Sequence, residues 1–188
     1  MISIVGFFGI VIGFFGIIGL MRGWTKEIIA TAGIVLALFA LSTLEETNTI
    51  GSFIPQNATS AQQFGIRAGL FILIVFFSYQ TPAVAETVSR GKLTAKARAA
   101  IQERILGLII GLVNGYLIAG TIWYYLRMQG YPFPNVLYPP LNPDTGQPDP
   151  AMWDTITFAT KYLPLDWISP WLPYLMILLF LFVIIAII

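Results

Sequence analysis

Long apolar stretches alternate with short polar ones along this 188-residue chain, and the stretches are longer than soluble helices need. Five stand out, at residues 2–20, 28–44, 66–84, 105–126 and 171–188. About 20 apolar residues are needed to cross a ~30 Å hydrocarbon core. The first, fourth and fifth stretches meet that length. The second has 17 residues, and the third is shorter in its purely apolar part. Arg67 stands one residue in from the start of the third, where a long side chain can snorkel to the interface. The pattern predicts an all-α, polytopic membrane protein with five transmembrane helices.

Within this pattern glycine recurs in ladders. The first stretch carries Gly6, Gly9, Gly13, Gly16 and Gly19; the fourth carries Gly107, Gly111 and Gly115, followed by Ala119 and Gly120. Each glycine costs a water-soluble helix roughly 1 kcal/mol relative to alanine. In a bilayer the same residues flatten a helix face so that another backbone can approach. The plainer reading packs the first and fourth helices within their own bundle. The sharper one turns a ladder toward a separate subunit, because one pair of helices does not easily satisfy both. A local echo, IIGLMRGW at Ile17–Trp24 and IIGLVNGY at Ile109–Tyr116, is read as shared packing grammar. An inverted transporter repeat would need equivalent depth, and the first copy ends at the interface while the second lies mid-span.

Composition narrows the chemistry. Hydrophobic residues make up 57% of the chain and charged residues 10%, and there is neither cysteine nor histidine. Disulfides, iron–sulfur ligation, the usual haem ligand and the commonest zinc ligand are thereby absent from the side-chain inventory. A net charge of +1 gives no electrostatic case for nucleic acid. The amino-terminal stretch lacks the basic n-region and the small-x-small cleavage site of a signal peptide, so it reads as the first span.

The charges are unevenly placed. Alternating five spans puts Arg22, Lys26, Arg90, Lys92, Lys96, Arg98 and Arg104, seven of the ten basic residues, on one face. That face is predicted to be cytoplasmic, with the amino terminus outside and the carboxyl terminus inside. Trp123, Trp167 and Trp171 are expected at the outer interface and Trp24 at the inner one.

Thr81-Pro82 reads as a cap and first helical residue, opening a short helix to Arg90 that Gly91 ends. The stretch 92–104 is expected to be helical and to run into the fourth span. Its basic residues suit positive-inside topology, or a docking patch for anionic lipid or a partner. Seven prolines and two glycines fall between Gly130 and Pro150, which disfavours regular structure. Tyr131, Phe133, Val136, Leu137 and Tyr138 make that loop too apolar for a free linker, so it is expected to lie on a surface. Asp149-Pro150 then opens a short helix with Trp153, Ile156 and Leu163, expected flat on the interface. Ser169-Pro170 repeats the cap-plus-proline signal before the fifth span.

Polar groups that could do chemistry are few. Glu27, beside Arg22 and Lys26, reads as a boundary salt bridge before a proton relay. Glu45 and Glu46 read as solvated. Asn114 is the strongly polar side chain deep in a span; bonding to a neighbouring helix is the plainer reading, and a pigment, quinone or ion ligand the sharper one. No cofactor is expected from the chain's own ligands, though peripheral lipid or pigment contact is compatible with it.

The stretch GIIGLMRGWTKEIIATAG resembles the opening signature of the colicin V production (CvpA) family of small bacterial inner-membrane proteins. There a glycine-rich helix runs into an arginine-glycine-aromatic turn and a basic-acidic pair; here Arg22, Gly23, Trp24, Lys26 and Glu27 hold those places. The stretch ERILGLIIGLVNGYLIAG is similar to the family's fourth helix, through Glu103, Arg104, Gly107, Gly111, Asn114 and Gly115. The resemblance covers about residues 1–127, a four-helix core. Residues 128–170 form a proline-rich external loop with a short interfacial helix, and 171–188 a fifth span, both beyond that core. It implies a bacterial inner-membrane location and a role in envelope processes or export.

Three functions are carried forward. The leading one is a non-enzymatic accessory or scaffold subunit of a larger membrane complex, photosynthetic or respiratory, meeting its partners through glycine faces and the 131–150 loop. The second is a CvpA-like envelope or secretion factor acting as a homo-oligomer. The third is a small transporter or channel.

Overall fold

The computed structural model describes residues 4–80, 97–133 and 156–187, with the backbone alone for 97–100 and 182–187. Every regular element among them is helical. These are α1 (Ile4–Arg22), α2 (Trp24–Glu46), α3 (Thr49–Phe53), α4 (Ser60–Tyr79), α5 (Ala97–Met128), α6 (Pro164–Ile168) and α7 (Leu172–Ile187). A 3-10 turn, Ser169–Trp171, joins the last two. Five helical stretches are long and apolar enough to cross a membrane. The expected cap at Thr81-Pro82, the helix to Arg90 and Gly91, Lys92 and Lys96, residues 134–150 of the proline-rich loop and the Asp149-Pro150 helix start lie outside the described residues.

Burying apolar side chains gains little from water when lipid is the alternative, so close packing and polar pairing must hold the helices together. The glycine ladders supply the first. α1 and α5 run antiparallel and meet through Gly16, Gly19, Gly107, Gly111 and Gly115. A Cβ on Gly19 would collide with the Gly107 carbonyl and come within 2.9 Å of Gly111 Cα; one on Gly115 would come within 2.9 Å of Ile12 Cα. One helix pair thus brings the α5 ladder against part of the α1 ladder. The two echoing segments lie on opposite sides of this one contact. Only the lower half of the α1 ladder is used: nothing lies within 4 Å of a Cβ on Gly9 or Gly13, and Gly6 is exposed.

α2 lies across both α5 and α4. Ile34, Leu38 and Leu41 of α2 join Phe71 and Val75 of α4, Leu117, Ile118 and Tyr125 of α5, and Ile168 and Leu172 in one buried cluster. α4 starts at Ser60, six residues before the expected span. Thr59 caps it by accepting from the Gln62 amide, while the Gln62 side chain accepts from the Thr59 amide, a reciprocal capping box. Its last residue is Tyr79, with Gln80 as C-cap. Arg67 reaches toward the α4 start, where one terminal nitrogen donates to the Gln63 carbonyl at 3.4 Å. Its Nε donates to Glu45 Oε1 at 2.9 Å, so Glu45 is ion-paired rather than solvated; Glu46 is exposed.

The carboxyl-terminal segment packs against the bundle core. Ile156 and Leu163 are buried with Ile4, Trp123 and Leu126, so the segment docks on α1 and α5. Trp123, 3% exposed, belongs to that core and is not an interfacial anchor, whereas Trp167 and Trp171 are exposed. Ser169 is not an N-cap: its backbone is right-handed helical at φ −46°, ψ −46°, inside a bent continuation of α6. The helix starts instead at Leu163, extended, with Pro164 as its first residue. The Pro164 ring rests on Gly120, where a side chain would collide with it.

Candidate functional site

The break between α1 and α2 is a single residue, Gly23, at φ 81°, ψ 161°. L-residues with a Cβ rarely adopt this conformation, and here the Glu103 side chain occupies the space beside it, with Oε1 3.0 Å from where a Cβ would stand. Because the break is so short, Arg22 at the end of α1 and Glu27 in the first turn of α2 fall on the same side. Arg22 Nη1 donates to Glu27 Oε1 at 2.9 Å. Its other terminal nitrogen donates to the Tyr79 carbonyl at 3.1 Å, and its guanidinium lies 4.6 Å from the Tyr79 ring centroid. One side chain thereby satisfies a terminal carbonyl of α4 while tying it to α1 and α2.

Glu27 is fully buried. Its second oxygen, Oε2, accepts from Tyr79 Oη at 3.1 Å and from Asn114 Nδ2 at 2.8 Å. Asn114, also fully buried, donates as well to the Glu27 backbone carbonyl at 3.2 Å. Thr31 Oγ1 stands 2.7 Å from Asn114 Oδ1 and 2.8 Å from the Glu27 carbonyl. A hydroxyl has one proton, so Thr31 serves these two acceptors in turn, while Asn114 Nδ2 faces only acceptors, the Glu27 carbonyl and Oε2. That fixes the amide orientation, with its nitrogen toward the carboxylate.

The result is a polar knot joining α1, α2, α4 and α5. Its carboxylate sees three donors, from an arginine, a phenol and an amide, and sits in the first turn of a helix, where negative charge is favoured. Among the described residues no buried side-chain nitrogen or oxygen lacks a hydrogen-bond partner. The knot brings together Arg22, Glu27 and Asn114 from the sequence candidates, with Gly23 shaping it. Lys26 is half-buried and Trp24 exposed on the same turn; Arg104 lines a separate cavity with Leu20 and Met21. Tyr79 and Thr31 were not singled out by sequence. Thr31 carries one signal, standing one turn after Glu27; Tyr79, on another helix and 52 residues from Glu27, carries none.

The other end of the bundle has its own clamp. Arg127 donates from one nitrogen to both Asp166 oxygens, at 2.6 and 2.8 Å, and from the other to the Thr160 carbonyl at 3.1 Å. Tyr116 Oη bonds to the Tyr162 carbonyl and accepts from Trp167 Nε1 at 2.9 Å.

The colicin V production protein family model matches residues 6–141. This chain belongs to that family. The match takes in both the Arg22–Glu27 turn and the Asn114 helix, so the knot is built within the family's own segment. It also ends 14 residues beyond the core expected from sequence, inside the proline-rich stretch, which leaves 142–188 outside the family match. No curated protein and no solved structure matches the chain.

Proposed function

We propose that this CvpA-family membrane protein is a non-enzymatic scaffold subunit that docks on other integral membrane subunits of a bacterial inner-membrane assembly. The observation that carries the reading is the division of the α1 ladder. Gly16 and Gly19 are used up against α5, while Gly9 and Gly13 have open space before them and Gly6 is exposed. Glycines cost a helix stability without return unless another surface closes on them. The polar knot supports it too, since the groups that would have to line a transport path are engaged with one another. A photosynthetic or respiratory complex is the favoured host, because the apolar proline-rich loop suits a large membrane-protein surface.

The orientation in this reading has the amino terminus outside and the basic face in the cytoplasm. A second reading, an envelope or secretion factor working as a homo-oligomer, is favoured by family membership. Purification from native membranes in mild detergent, through a carboxyl-terminal tag, separates the two. A stoichiometric heterologous complex, with its absorbance spectrum, supports the scaffold; recovery only with itself overturns it in favour of the homo-oligomer.

A further inference from the structure

The first turns of α5 run past the last turn of α1, and between them lies a cavity of about 410 Å³. Among the described residues its walls are Leu20 and Met21 of α1 and Arg104 of α5. The glycine contact sets its depth. A Cβ on Gly107 would come within 3.0 Å of Gly23 Cα, and Arg104 stands one turn earlier, about 4.5 Å along the axis. The guanidinium therefore belongs to the level where α1 ends at Arg22 and the apolar span gives way to charge. In a membrane that is the level of lipid headgroups.

Two kinds of surface meet there. Met21 is 81% exposed, and Ile101 and Ile105 are exposed on α5 beside Arg104, so hydrocarbon suits the rim. Arg22, Arg67 and Arg127 each hold a carboxylate. Arg104 has neither an ion-pair nor a hydrogen-bond partner among the described residues. Its neighbour Glu103 packs at the Gly23 break and does not line the cavity. The described charges at this end are Arg22, Lys26 and Arg104 against Glu27 and Glu103, three positive and two negative, which leaves one positive charge over.

That balance selects the anion. Inorganic phosphate would bring nearly two charges to one guanidinium and leave the apolar rim facing water. A phosphodiester brings one charge, matches the guanidinium fork, and carries acyl chains for the rim. Size agrees: at ~30 Å³ per water the cavity has roughly the volume of fourteen waters, enough for a phosphodiester and its glycerol.

We propose that this cavity seats the headgroup of an anionic glycerophospholipid. Its phosphodiester pairs with Arg104, and its acyl chains lie over Leu20, Met21 and Ile105. A headgroup with a cation of its own, such as choline, is disfavoured by the positive balance of this end. The site is separate from the Gly9–Gly13 face, and its test does not depend on what meets that face.

The test is native mass spectrometry of the full-length protein released from nanodiscs of mixed phosphatidylglycerol and phosphatidylcholine. Wild type is expected to retain phosphatidylglycerol in preference. Arg104→Gln is expected to lower that retention roughly fivefold. Arg104→Lys, which keeps the charge but loses the fork, is expected to fall between. Lys26→Gln, the same loss of charge outside the cavity, is expected to leave retention unchanged. Melting temperatures in lipid-free detergent should be the same for all four proteins, because neither side chain has a partner to lose. Excess inorganic phosphate should not displace the lipid. No preference in wild type, equal losses in Arg104→Gln and Lys26→Gln, which would mark a diffuse basic face, or displacement by phosphate overturns the proposal.

Discussion

Asn114 donates to both the side-chain carboxylate and the backbone carbonyl of Glu27, at 2.8 and 3.2 Å, across a separation of 87 residues. Both residues are fully buried in the protein, so no solvent water competes for either group. The pair therefore fixes the register of α5 on α2 in a way that apolar contacts alone do not.

Replacing Asn114 with leucine removes one donor from the buried Glu27 carboxylate and one from its backbone carbonyl, and leaves Thr31 with the Glu27 carbonyl as its acceptor. We expect a loss of about 1–3 kcal/mol of stability, the usual cost of leaving a buried polar group unpaired. A double-mutant cycle with Glu27→Gln, read by thermal unfolding in detergent, should give a coupling of about 1 kcal/mol. Additive losses would mean that the contact carries no energy.

The glycines should separate into two classes. Gly19→Ala and Gly107→Ala force two backbones apart and should destabilise by several kcal/mol, beyond the 1–3 kcal/mol typical of overpacking where only side chains yield. Gly9→Ala and Gly13→Ala meet open space and should be neutral or stabilising by up to about 1 kcal/mol. The same two substitutions should reduce recovery of a heterologous partner. Melting temperatures and co-purification yields, measured side by side, distinguish fold from docking.

Gly23→Ala places a Cβ in a left-handed backbone conformation against Glu103. The expected cost is about 1–3 kcal/mol. Gly23→Ala combined with Glu103→Ala should recover only the steric part, visible as partial return of the melting temperature.

Asp166→Asn breaks a bidentate pair whose side chains are 34% and 29% exposed. Solvent screening limits the effect on global stability to at most about 1 kcal/mol. Limited proteolysis is the sharper probe, and the variant should be cut sooner in the segment around 156–171 while α1–α5 resist unchanged.

Much of this was legible in the chain. The five spans follow from hydropathy, and the glycine ladders announce close helix contact because no other role repays their cost. Asn114 declared itself by being polar in the wrong place. What sequence could not supply was pairing between distant helices. Arg67 and Glu45 look like two boundary charges until α2 and α4 are set side by side. Glu27 reads as a boundary ion pair, and Arg22 does pair with it, but its other two donors, Tyr79 and Asn114, come from distant helices. Trp123 reads as an interfacial anchor because the segment that buries it is 33 or more residues away, beyond the prolines. Ser169-Pro170 satisfies the local grammar of a helix start, yet Leu163-Pro164 offers the proline signal one turn and a half earlier and wins by packing on Gly120. The capping box at Thr59 and Gln62 was readable, but the polar run SAQQ hid it behind a hydropathy threshold.

The central claim is that the amino-terminal half of the α1 ladder meets another membrane protein. Because the chain has no cysteine of its own, a single Gly9→Cys or Gly13→Cys carrying a short thiol-directed photocrosslinker reports on that face alone. In native membranes the account predicts one dominant adduct with a different integral membrane protein, and none from a cysteine placed at Gly19. Adducts only with lipid, or only with a second copy of this chain, would contradict it.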